Sequence, residues 1–145
     1  MSIKPAEQMP VNISVRTKIE KDGESDLLEL KAAGRWFRKG GSTYLQYDEE
    51  LEEGTVHTTV KMKGEDVLIL RSGAVKMRLH LLAEKETSGT YESPYGLLQT
   101  VASTKRLTQF LHEGESRGSV EAVYNFSILG EHVGTYHLRI EYGRS

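Results

Sequence analysis

Arg71 is the first residue whose surroundings could do chemistry. It ends an otherwise apolar run, Val67-Leu68-Ile69-Leu70, and shares the parity of Val67 and Ile69. If that parity faces an interior, a guanidinium stands there, and an unpaired buried charge is costly. Its planar fork suits a ligand carboxylate or phosphate. It suits equally an internal ion pair with an acid such as Glu49 or Glu92. Tyr47, Tyr95, Tyr124 and Tyr136, together with Thr58 and Gln99, read as inward on the same alternation. A buried tyrosine hydroxyl seeks a partner, and apolar walls with a few polar tips make a small-molecule pocket. The same mixture describes a filled interior with one hydrogen-bond network. Trp36, Met62, Met77, Phe126 and Tyr142 supply the volume for it.

The remaining reactive types point to no reaction. The chain has five histidines and no cysteine, so thiol catalysis, disulfides and Cys-based zinc sites are excluded. His57, His80 and His137 fall on outward parity, His112 near a strand end, and His132 beside the turn before Gly134. Dispersed outward imidazoles converge poorly on one ion, so no metal site is expected. The acidic stretch Asp48, Glu49, Glu50, Glu52 and Glu53 lacks the alternating ligands and central glycine of a calcium loop, and reads as a solvated hairpin. Lys61, Lys76, Arg78 and His80 could form a basic outer patch, but no aromatic residues are interleaved with them. No Gly-x-Ser-x-Gly elbow, His-Glu-x-x-His helix, P-loop or dinucleotide glycine motif occurs. No catalytic residue and no cofactor is expected.

These side chains must be held by strands, because apolar and polar residues alternate almost end to end. Residues 11–20, 43–49, 55–62, 75–81, 119–129 and 136–142 carry period two, rich in Val, Ile, Leu, Thr and Tyr. Residues 25–38 could start as a helix capped by Ser25. Alternation of Leu28, Leu30, Ala32, Gly34 and Trp36 against Glu29, Lys31 and Arg35 argues for a long strand with a bend at Gly34. Further strands are expected over residues 87–92, 97–104 and 106–112. Asp22-Gly23 is a hairpin signal. Residues 67–70 are apolar throughout, so both faces are expected to be covered, one by the barrel interior and that of Leu68 and Leu70 by a helix, a loop or a partner subunit.

A chain of 145 residues is large enough for one domain with its own core. Residues 1–10 read as a flexible leader on a cytoplasmic protein, and residues 11–145 as the single domain. About ten short strands with tight turns leave two edges unless the sheet closes. The expected fold is therefore all-β: an antiparallel up-and-down β-barrel of about 8–10 strands, with a two-sheet sandwich as its rival. The net charge of −2 and pI near 6.2, with acids and bases mixed along the chain, predict no nucleic-acid and no membrane partner.

Several segments together resemble a known family. They are Tyr47-Asp48-Glu49-Glu50 ahead of Gly54-Thr55, Leu70-Arg71-Ser72-Gly73, Tyr91-Glu92-Ser93-Pro94-Tyr95-Gly96, and Gly118 followed by Tyr124. From about Val11 onward the chain is similar to the YwiB family of small bacterial β-barrel proteins. The resemblance implies a calycin-like barrel, the architecture shared by lipocalins and fatty-acid-binding proteins, in bacterial cytoplasm, and brings no catalytic residue. Gly34-Arg35-Trp36 has the Gly-x-Trp form of lipocalins, but there it opens the first strand and here it follows a complete one. The leading expectation is non-catalytic binding of a small amphipathic ligand in the barrel, oriented by Arg71, Tyr47, Tyr95, Tyr124, Tyr136, Gln99 and Thr58. The alternative is an interaction or regulatory module with a solid barrel and an outer binding face, dimeric through Leu68 and Leu70.

Overall fold

The computed structural model describes residues 8–112 and 117–145. Ten strands follow one another: β1 (Gln8–Lys21), β2 (Glu24–Lys39), β3 (Ser42–Leu51), β4 (Gly54–Lys63), β5 (Asp66–Gly73), β6 (Lys76–Leu82), β7 (Glu86–Ser93), β8 (Gly96–His112), β9 (Arg117–Ile128) and β10 (Glu131–Arg144). Each pairs antiparallel with its neighbours in sequence, and β10 returns to β1, so the sheet closes into an up-and-down barrel. At the Asp22-Gly23 hairpin both central residues have positive φ, 52° and 81°. That is the primed turn whose twist matches the strands it joins.

Period two places Val11, Ile13, Leu45, Val60, Met62, Leu81, Val120 and Ile140 inside, where all are essentially inaccessible to water. Residues 25–38 are a strand, as their alternation requires, and Leu30, Ala32 and Trp36 pack against the core. The interior of β9 and β10 is the expected one: Val120, Ala122, Tyr124 and Phe126 against Leu138, Ile140 and Tyr142.

Two boundaries differ from the sequence reading. Of the leader expected over residues 1–10, residues 1–7 lie outside the described residues. Residues 8–10 already belong to β1, pairing with Phe37, Trp36 and Arg35. Residues 97–104 and 106–112 form one strand, β8, rather than two. The ladder to β9 shifts between Thr104 and Arg106, so Lys105 is an extra residue. The inward set passes there from Thr100, Ala102 and Thr104 to Leu107 and Gln109, and a change of parity mimics a break between strands.

Closure is incomplete along the strands. β2 pairs with β3 only over residues 34–39, so residues 24–33 have, among the described residues, a ladder to β1 alone. β7 pairs with β8 up to Ser103, so residues 106–112 have, among the described residues, a ladder to β9 alone. Between these two edges lies a five-stranded sheet, β8–β9–β10–β1–β2, whose outer face is solvated.

Candidate functional site

Inside the barrel, the ladder sets Tyr47, Thr58, Arg71, Met77 and Tyr91 in one row across β3 to β7. All have inward parity, as expected for Tyr47, Thr58 and Arg71. Arg71 Nη2 donates to Glu49 Oε1 at 2.8 Å, with the two side chains 29% and 21% exposed. The guanidinium therefore already has its carboxylate, one of the two acids the sequence offered. Tyr124 and Tyr136 stack with ring centroids 5.2 Å apart, and Phe126 meets both edge-on. These inward rings thus pack on one another.

Two expected site residues lie elsewhere. Tyr95 is 96% exposed in the turn between β7 and β8, where strand parity does not apply. The Ser93 hydroxyl accepts from the Tyr95 N–H and donates to the Gly96 carbonyl, which fixes the turn with the Tyr95 side chain in solvent. Gln99 is exposed on β8 opposite Thr90, because Leu98 and Thr100 set the inward frame of that strand. Neither can line the lumen.

Leu68 and Leu70 do point outward, Leu70 at 40% exposure, flanked by Lys61 and His80 and by Thr59 and Arg78 respectively. Among the described residues nothing covers Leu70. The basic residues around them are partly neutralised, since Lys76 pairs with Glu92 and His80 with Asp66. His57 and His137 likewise each face one carboxylate, Asp48 and Glu20, at 2.7 Å. Among the described residues no three His, Asp or Glu side chains gather as a metal set.

Burial raises the phenol pKa of Tyr47, Tyr124, Tyr136 and Tyr142 above the ordinary 10.0, Tyr124 furthest. At Tyr47 the Arg71 charge opposes the shift. A phenol raised in the folded state stays neutral where the unfolded chain has begun to lose its proton. The stabilisation is whole below about pH 10 and is lost as pH climbs through the folded values. Urea midpoints should therefore hold steady up to about pH 10 and fall above it. Tyr124→Phe should fall less steeply, and an identical fall would place the alkaline sensitivity in other groups.

Two concavities lie on the outer face of β8–β9–β10–β1–β2, and another of about 630 Å³ runs over the Gly41 and Gly64 turns, Met62 and Leu107. One groove of about 1090 Å³ runs over Asn12, Ser14, Lys31, Phe110, Ser119 and Glu141. A second of about 480 Å³ runs over Arg16, Lys18, Leu27, Arg106 and His137. They meet at Glu121 and Arg139, which line both. Sequence reading did not find this trough. Its residues alternate with core positions on five strands, and only the ladder collects them.

A family model described as "Domain of unknown function (DUF1934)" matches residues 13–140. The chain belongs to that family. This DUF1934 member is 31% identical over 136 residues to the "Uncharacterized beta-barrel protein YwiB" of Bacillus subtilis (strain 168), an alignment covering 94% of each chain. A crystal structure of ywiB protein from Bacillus subtilis superposes with a TM-score of 0.86 at 31% identity, covering 99% of this chain and 95% of that one. The family resemblance carried by Tyr47-Asp48-Glu49-Glu50 and Tyr91-Glu92-Ser93-Pro94-Tyr95-Gly96 is thereby borne out, and so is the all-β barrel. For a DUF1934 chain, function must be read from geometry.

Proposed function

We propose that the protein is a non-catalytic binding module that works through the outer face of β8–β9–β10–β1–β2, around a filled barrel. One contrast carries the reading. The guanidinium meant to greet a guest is already engaged by Glu49, whereas a groove of about 1090 Å³ lies open outside. A site needs unsatisfied groups arranged around a concavity, and the outer face offers both.

The competing reading is an amphipathic ligand in the lumen. Its support is a set of inward side chains, Tyr91, Met77 and Tyr136, that keep partial access to solvent. Native mass spectrometry of protein purified gently from cells separates the two. The expected spectrum is the bare chain mass, alone or with a macromolecular partner. A discrete small-molecule adduct, released on denaturation and lost in Arg71→Met, would put the site in the lumen and sink the outer-face reading.

A further inference from the structure

We infer that the outer trough is a binding site for single-stranded nucleic acid; this deepens the outer-face reading and rests on it. The chain as a whole is slightly acidic, at −2. The two grooves are lined by six basic side chains, Arg16, Lys18, Lys31, Arg106, Arg117 and Arg139, against two acidic ones, Glu121 and Glu141. Both acids are spent on one cation: Arg139 Nε lies 3.3 Å from Glu121 and 2.7 Å from Glu141. Arg16, Lys18, Lys31 and Arg106 have no ion pair among the described residues. Glu29 stands opposite Arg16 on β2 without closing a pair.

The ladder sharpens this field. Arg16 lies directly opposite Arg139, and Lys18 opposite His137, across β1 and β10. Glu121 and Glu141 already balance Arg139, and Glu20 faces His137, so Arg16 and Lys18 are the members of these pairs left to meet a bound anion. Arg16 and Lys18 stand about 7 Å apart along one strand, so an extended polyanion laid along β1 meets both. A single small anion would leave most of the unpaired cations unused.

The rim supplies what separates nucleic acid from any other polyanion. Phe110 is 55% exposed on the free edge of β8, and its ring meets that of His112 at 4.7 Å, tilted by 59°. Leu27, 47% exposed, stands on the opposite rim. An exposed aromatic platform beside a cationic groove is the arrangement on which bases stack while phosphates follow the charge. Unstacked bases are available only in single strands. The sequence argued against such a partner because its basic residues alternate with acids; the register gathers the unpaired ones.

The test is fluorescence anisotropy of the full chain with a fluorescein-labelled 15-nucleotide RNA of mixed sequence, and with DNA of the same sequence. Four phosphate contacts predict roughly 50-fold weaker binding between about 50 and 200 mM salt. Arg16→Glu with Lys18→Glu should weaken binding at least about 10-fold, and Phe110→Ala at least about 5-fold, with circular dichroism unchanged for these exposed positions. Lys61→Glu with Arg78→Glu, equal in charge change but on another face, should leave binding as it was. Equal affinity for the two oligonucleotides, or preference for RNA, each supports the site. The inference fails if neither oligonucleotide binds at low salt, if the distant double variant loses as much as the trough variant, or if Phe110→Ala changes nothing. It also fails if a polyglutamate peptide competes as well as RNA does, which would leave the outer-face reading standing. A lumen adduct in the native spectrum would instead overturn that underlying reading.

Discussion

Phe126→Ala should cost about 3–5 kcal/mol of stability, the range for emptying a buried aromatic site. The ring is 4% exposed and meets the stacked Tyr124 and Tyr136 edge-on, at 6.3 and 5.4 Å between centroids. Its loss leaves a void whose walls are held apart by a closed sheet, so the site can collapse only in part. Urea denaturation would show a lower midpoint at unchanged slope. Benzene should restore part of the loss, because a dry apolar cavity accepts a guest of its own shape. The same variant therefore examines whether the native barrel is solid. A loss below about 1 kcal/mol would mean that the interior already holds a void there, and the lumen would regain its claim as the binding site.

Gly34→Ala should destabilise by about 1–3 kcal/mol, toward the upper end, through overpacking. A Cβ at Gly34 would stand 2.6 Å from Ile13 Cδ1, 3.1 Å from Tyr47 Cβ and against the Gln46 backbone carbonyl. The first of these can yield by a rotamer change, and the carbonyl cannot without moving β3. Gly34 is also the first β2 residue to pair with β3, so the strain falls on the ladder that closes the barrel. Thermal unfolding monitored by circular dichroism checks it. A variant as stable as the parent would show that β2 and β3 can separate at this point without cost.

Gly34 shows what a pattern can and cannot convey. Its place on the inward parity of β2 was legible, and a bend was expected of it. The structure gives it a different task, close approach of three strands, which no property of residues 25–38 alone could reveal. Tyr95 and Gln99 were misplaced for a related reason. Alternation is a rule within one strand, and a two-residue turn at Pro94 and Tyr95 resets its phase. The bulge at Lys105 resets it again inside β8. Where no turn or bulge intervened, as in β1, β9 and β10 after its register shift at Val133, the assigned faces are the observed ones.

Strand identity, the buried face of most strands, the primed hairpin at Asp22-Gly23 and the need to close the sheet were all written in the chain. Each is local: a strand with one buried face has a single phase that keeps its apolar side chains from water. Which residues stand beside one another across the sheet is not local. Glu49 reaches Arg71 over 22 residues, and Arg16, Lys18, Lys31 and Arg106 arrive from β1, β2 and β8. Along the chain each cation lies near acids, so the charge reads as mixed. Only when pairing sets strands about 4.8 Å apart does register decide which charges are neutralised and which remain to meet a partner.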